Sequence, residues 1–182
     1  PDAIRTRFSE AMSAMYRAEV PLYGDLLSIV AEVNAEILAT RPDLAAEMAG
    51  ELDRLDVERH GAIRLGTAAE LHMMRRAFAV MGMYPVGYYD LAVAGVPVHA
   101  TAFRPVEDAS LARNPFRVFT SLLRLELIED AALRETAAAI LDAREIFTPR
   151  ALALIERFEQ AGGLTADDAA EFVAEALETF RW

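Results

Sequence analysis

Apolar residues recur at three-to-four spacing through the first fifty positions. Ile4, Phe8, Met12 and Met15 mark one helical face that ends before Pro21. This predicts a helix over residues 3–18. A second stripe, Leu26, Leu27, Val30, Val33, Ile37 and Leu38, runs on to Pro42, after which Asp43 can cap a short helix ending near Gly50. Residues 1–50 thus read as a helical cap. The pattern changes at 57–66, a short mixed run without a helical stripe that reads as a strand. Thr67 followed by Glu70 is a capping box, and Leu71, Met74, Phe78 and Met81 form a core-facing stripe up to Gly82.

Segments 86–93 and 96–103 are rich in β-branched and aromatic residues and flank Ala94-Gly95, which predicts a hairpin. The run 116–128 has the length of a helix but the Val, Phe, Thr and Leu texture of a long strand, and it is read as a strand. Helices follow over 129–145, over 149–161 with Pro149 in the first turn and Gly162-Gly163 as a stop, and from a Thr165 cap to Phe180. The expected architecture is α+β. Within one domain, 1–182, a βαβββ module over 55–130 lies between terminal helices. That order resembles the half-barrel module of the vicinal oxygen chelate superfamily, in which two modules pair to cup a metal, and is shared by many α+β domains.

Charge narrows the function classes. Eighteen basic against 29 acidic residues give −11 and a pI near 4.7, which disfavours phosphate backbones and anionic lipid surfaces as partners. Every basic residue is Arg, so no Lys is present for a Schiff base or a phosphate loop. There is no Cys, which excludes thiol nucleophiles, disulfides and thiolate metal sites. The longest uncharged apolar stretch, 77–89, is broken by Gly and Pro and is too short to cross a bilayer. Charges interrupt the amino end as well, so the expected location is the cytoplasm. A first residue of Pro1 and a last residue of Trp182, directly after a helical pattern, leave open that both ends are cuts in a longer protein.

Candidate chemistry is sparse. The only histidines are His60, His72 and His99. Strand alternation puts His60, Ala62 and Arg64 on one face and Arg59, Gly61, Ile63 and Leu65 on the other. A metal on His60 and the guanidinium fork of Arg64 could then hold two ends of one anionic ligand, with Ala62 leaving room between them. The alternative is a structural His60 beside an Arg64 paired to Glu58 or Asp56. His72 lies off the core stripe beside Arg75 and Arg76 and reads as structural. His99 can point to a site or into the sheet. Glu126 is a possible carboxylate on the last strand, though a solvated or Arg-paired role suits it as well. Tyr84, Tyr88 and Tyr89 read as sheet packing rather than a substrate platform. No G-x-S-x-G, H-E-x-x-H, G-x-G-x-x-G or Walker loop occurs.

Four collinear segments carry a family resemblance: 58–66 (E-R-H-G-A-I-R-L-G), 84–91 (Y-P-V-G-Y-Y-D-L), 97–105 (P-V-H-A-T-A-F-R-P) and 114–124 (N-P-F-R-V-F-T-S-L-L-R). They resemble the 2-oxoadipate dioxygenase/decarboxylase family, also called hydroxyglutarate synthase. The resemblance implies a vicinal-oxygen-chelate-like enzyme that uses Fe(II) and O2 to convert 2-oxoadipate to 2-hydroxyglutarate and CO2 in lysine catabolism. It further implies that His60 is an iron ligand and that Arg64 binds the substrate carboxylate. The family's second His and its Glu lie in a later module, so the chain corresponds to the amino-terminal part of such an enzyme, with the remaining module as its partner. A 2-His-1-carboxylate triad leaves positions open for a 2-oxo acid and O2. Two other readings stay open: a metal-dependent enzyme of the same fold acting on another 2-oxo acid or as an isomerase, and a non-catalytic acidic interaction domain.

Overall fold

The computed structural model describes residues 1–47 and 60–181. The elements in order are α1 (Asp2–Glu19), α2 (Tyr23–Thr40), α3 (Pro42–Glu47), β1 (His60–Leu65), α4 (Ala68–Val80), β2 (Tyr84–Asp90), β3 (Val98–Arg104), α5 (Asp108–Arg113), β4 (Arg117–Leu123), α6 (Ala131–Ala143), α7 (Pro149–Ala161) and α8 (Ala166–Phe180). The expected βαβββ order is present, with α5 as an unanticipated turn of helix between β3 and β4. The strands form one sheet in the order β1-β4-β3-β2, with β1 parallel to β4 and the other pairs antiparallel. A parallel pair needs a crossover, and α4 starts it. Its capping box forms as the sequence predicts: Glu70 N donates to Thr67 Oγ1, and Thr67 N donates back to the Glu70 carboxylate.

The helices cover one face of the sheet. Leu65, Phe103, Val118 and Leu122 from the strands meet Phe8 and Met12 of α1, Met74 and Phe78 of α4, Leu154 and Ile155 of α7, and Phe172 and Val173 of α8. Phe78 lies 4.9 Å from Phe103 between ring centroids, and Phe8 meets Phe180 edge-on at 5.3 Å. Arg5 is fully buried within this layer. Its guanidinium donates to the carbonyls of Met81, Asn114 and Ser110 at 2.9–3.0 Å and pairs with Asp2 at 2.8 Å, tying α1 to the ends of α4 and α5. The charge is therefore matched by partners on every side, as burial requires.

Three sequence expectations shift. The strand predicted at 57–66 is observed over its described part as β1, and 57–59 lie outside the described residues. The strand expected over 116–128 stops at Leu123, and Leu125–Leu127 form a 3-10 turn. The reason is the ladder: β3 begins at Val98 and β1 ends at Leu65, so beyond Arg124, whose N–H reaches Pro97 O at 2.8 Å, no strand remains to pair with. The hairpin turn is also longer than Ala94-Gly95, because Asp90 accepts from Ala92 N and a 3-10 turn, Ala92–Ala94, ends at Gly95 with φ +78°. Among the described residues of the cap, α1 enters the core, whereas α2 buries none of its residues. No helix among the described residues is long and apolar enough to cross a membrane.

Candidate functional site

The face of the sheet opposite the helices is largely open, and β1 sets its character. Gly61, Ile63 and Leu65 point inward while His60, Ala62 and Arg64 are exposed, as the alternation predicts. Gly61 has a packing reason, because a Cβ there would sit 3.2 Å from both Met12 Cε and Val118 Cγ2. Register carries the same face across the sheet: His60 lies opposite Arg117, Ala62 opposite Phe119 and Arg64 opposite Ser121. On β3, Ala102 and Ala100 are next in line. The open face thus has Ala62, Phe119 and Ala102 across its middle, an imidazole and Arg117 at one end, and Arg64 with Ser121 at the other.

A cavity of about 450 Å³ occupies the Arg64 end. Its walls are mainly aliphatic, from Leu91, Val98, Leu123 and Leu141, with Arg64, Ser121 and Arg144 as its polar side chains. Gly66 lets α6 close this wall, since a Cβ there would fall 2.0 Å from Leu141 Cδ2. Arg144 forms a two-pronged pair with Glu70 at 2.7 Å, and Glu70 also accepts from Gly66 N at 2.6 Å. Burial alone would raise the Glu70 carboxyl; Arg144 and the Gly66 and Thr67 amides outweigh it and hold the group below the usual carboxylate value. The same pair raises Arg144. Among the described residues no carboxylate pairs with Arg64; Glu58 and Asp56, the partners considered from sequence, lie outside them.

The other candidates are elsewhere. His99 lies opposite Leu122 and therefore on the other face of the sheet from His60, with its Nδ1 3.2 Å from the Tyr88 hydroxyl. Glu126 is not on a strand. It sits on the 3-10 turn after β4 and pairs with Arg124, which pulls its carboxyl down. His72 is exposed on α4, whose neighbouring Arg76 pairs with Glu159. Tyr84, Tyr88 and Tyr89, expected as sheet packing, lie on the outermost strand β2 and stay exposed, although the Tyr88 ring packs on His99 with centroids 5.1 Å apart.

Sequence reasoning missed the Glu70–Arg144 pair and Ser121. Glu70 was visible only as a cap, because its partner is 74 residues away. For Ser121, alternation with Phe119 along β4 was an available signal. Among the described residues no group of three His, Asp or Glu could hold a metal ion. His60 alone brings one imidazole to the open face, so these residues do not by themselves make an iron site.

Comparison with known proteins gives a consistent picture. The family model for 2-oxoadipate dioxygenase/decarboxylase matches residues 8–182. A 2-oxoadipate dioxygenase/decarboxylase of Escherichia coli is 66% identical over 183 residues, spanning 100% of this chain and 41% of that protein. The crystal structure of hydroxyglutarate synthase from Pseudomonas putida in complex with 2-oxoadipate superposes with a TM-score of 0.96 at 62% identity, covering 100% of this chain and 41% of the other. This chain therefore spans about two fifths of the length of these relatives. A glyoxalase-superfamily protein from Ralstonia eutropha shares the fold at a TM-score of 0.52 and 22% identity, over 66% of this chain and 38% of that one. The expected likeness to the vicinal oxygen chelate fold is thus seen.

Proposed function

The chain belongs to the 2-oxoadipate dioxygenase/decarboxylase family, and from that premise we propose that its open sheet face is the substrate-recognition side of an enzyme converting 2-oxoadipate and O2 to 2-hydroxyglutarate and CO2. The reaction balances: both oxygen atoms of O2 are accounted for between the hydroxy acid and the carbon dioxide. The carrying observation is the placement of His60 and Arg64 on one exposed face of β1, with the cavity at the Arg64 end. We assign Arg64 to the distal carboxylate. A planar fork with no carboxylate partner among the described residues is suited to two-pronged capture of that group. The aliphatic walls take the methylene chain and keep water from it. Ala62 keeps the β1 row between Arg64 and His60 low, with Phe119 beside it on β4, so a ligand can lie along β1.

His60 and Arg64 are about 13 Å apart at Cα by strand rise. In this reading the 2-oxo end of the substrate lies toward His60, which offers one imidazole nitrogen to Fe(II). The further ligands come from outside the residues described here, in the part of the relatives' length that this chain does not span. Iron, when bound, supplies the oxidative chemistry with O2; the contribution of this chain is binding, orientation and exclusion of water. The reaction would serve lysine catabolism.

The test is anaerobic Fe(II) loading followed by O2 uptake with 2-oxoadipate, on this chain and on a form of the relatives' full length, each with a His60→Ala control. Turnover in the long form that is lost with His60 is the expected result. Full turnover and iron content in the long His60→Ala form would overturn the assignment of His60.

A further inference from the structure

Of the three polar side chains lining the cavity, Arg144 is engaged by Glu70. Among the described residues neither the Arg64 guanidinium nor the Ser121 hydroxyl has a hydrogen bond or ion pair, and Ser121 is not sealed away from solvent. The two are register partners in the parallel β1–β4 pair, so they stand one strand spacing apart, about 4.8 Å, on the same face. On the other side of Ser121 the register partner is Ala100, which offers no competing polar group. The surrounding wall is aliphatic.

We propose that Ser121 is a specificity-determining residue whose hydroxyl donates a hydrogen bond to the carboxylate held by Arg64, so that the pair selects a dicarboxylic over a monocarboxylic 2-oxo acid. This inference rests on the assignment of Arg64 as the carboxylate clamp. The chemistry favours a hydroxyl here. A guanidinium fork meets each carboxylate oxygen once, and the remaining lone pairs would otherwise face aliphatic wall, where an unmet acceptor is costly. A hydroxyl meets one of them without adding charge. Arg144 is already matched by Glu70, which leaves the cavity, among the described residues, one unmatched positive charge, from Arg64, for one carboxylate.

The experiment compares kcat/KM for 2-oxoadipate with that for 2-oxohexanoate, which has a methyl group in place of the distal carboxylate, in the enzyme of full family length. Ser121→Ala is expected to lower the ratio of the two about tenfold, chiefly through KM for 2-oxoadipate, the size of a lost hydrogen bond to a charged group. Ser121→Thr, which keeps the hydroxyl, should preserve the ratio, a rescue that a purely structural role for a small residue would not produce. Arg64→Gln should lower it further. An unchanged ratio in Ser121→Ala with a collapsed ratio in Arg64→Gln overturns the role of Ser121 and leaves the clamp standing. An unchanged ratio in Arg64→Gln overturns the clamp itself.

Discussion

Arg5 and Arg64 are the same residue type in opposite surroundings on the two sides of one sheet. Arg5 is buried in the helical layer with three carbonyls and Asp2 around it, whereas Arg64 is exposed on the open face with no carboxylate partner among the described residues. A buried guanidinium is matched to fixed partners because leaving any donor unmet is costly. An exposed one is kept solvated and available. The difference extends to whole strands. On β3, Phe103 faces the helical core, while Ala100 and Ala102 point to the opposite side of the sheet. Core packing and open surface are thus divided by strand alternation, not by separate regions of the chain.

Substitutions can break or sharpen that division. Arg5→Met should be the most damaging, at about 3–5 kcal/mol, because Asp2 and the carbonyls it serves lose their donor; chemical denaturation measures it. Phe103→Ala should cost a similar 3–5 kcal/mol through the cavity left beside Phe78, and its loss should appear in the same unfolding transition. Gly66→Ala should cost about 1–3 kcal/mol, since the new methyl displaces Leu141. It should also reshape the cavity, so 2-oxoadipate affinity is expected to fall with stability. Arg64→Gln lies at the far end of the series: thermal unfolding should move by less than about 0.5 kcal/mol, while selectivity for the dicarboxylic substrate collapses. A large loss of stability in Arg64→Gln would mean that the open face is structural after all.

Glu70 joins the two sides, and its titration has a definite sign. The folded protein holds this carboxyl below its ordinary value of 4.5. Its contribution is therefore present above about pH 4.5 and is lost as pH falls through the lower, folded value. Glu70→Gln should consequently be less stable than the parent at neutral pH, with the gap narrowing on acidification. Unfolding midpoints measured from pH 7 downward check this.

Much of the fold was legible because its signals are local. The Thr67–Glu70 capping box, Pro149 at the start of α7 and the Gly162 stop depend on residues within a few positions of one another. The same is true of the His60, Ala62 and Arg64 face, since a period of two belongs to any extended strand. Where neighbours in space decide, the sequence was silent. His99 could point either way until the register with Leu122 put it behind the sheet. Glu126 left the strand because β4 lost its partners at Leu123.

By itself, then, the sequence determined the order of the elements other than α5, the two faces of β1 and the residue types available for chemistry, all of them properties of short-range periodicity and composition. Only the tertiary structure decided which face stays open, that Arg5 is core and Arg64 is not, and that Ser121 stands beside Arg64. The physical reason is distance along the chain. Arg5 meets Asn114 across 109 residues and Arg144 meets Glu70 across 74, and no local pattern encodes which distant group will arrive to satisfy a charge.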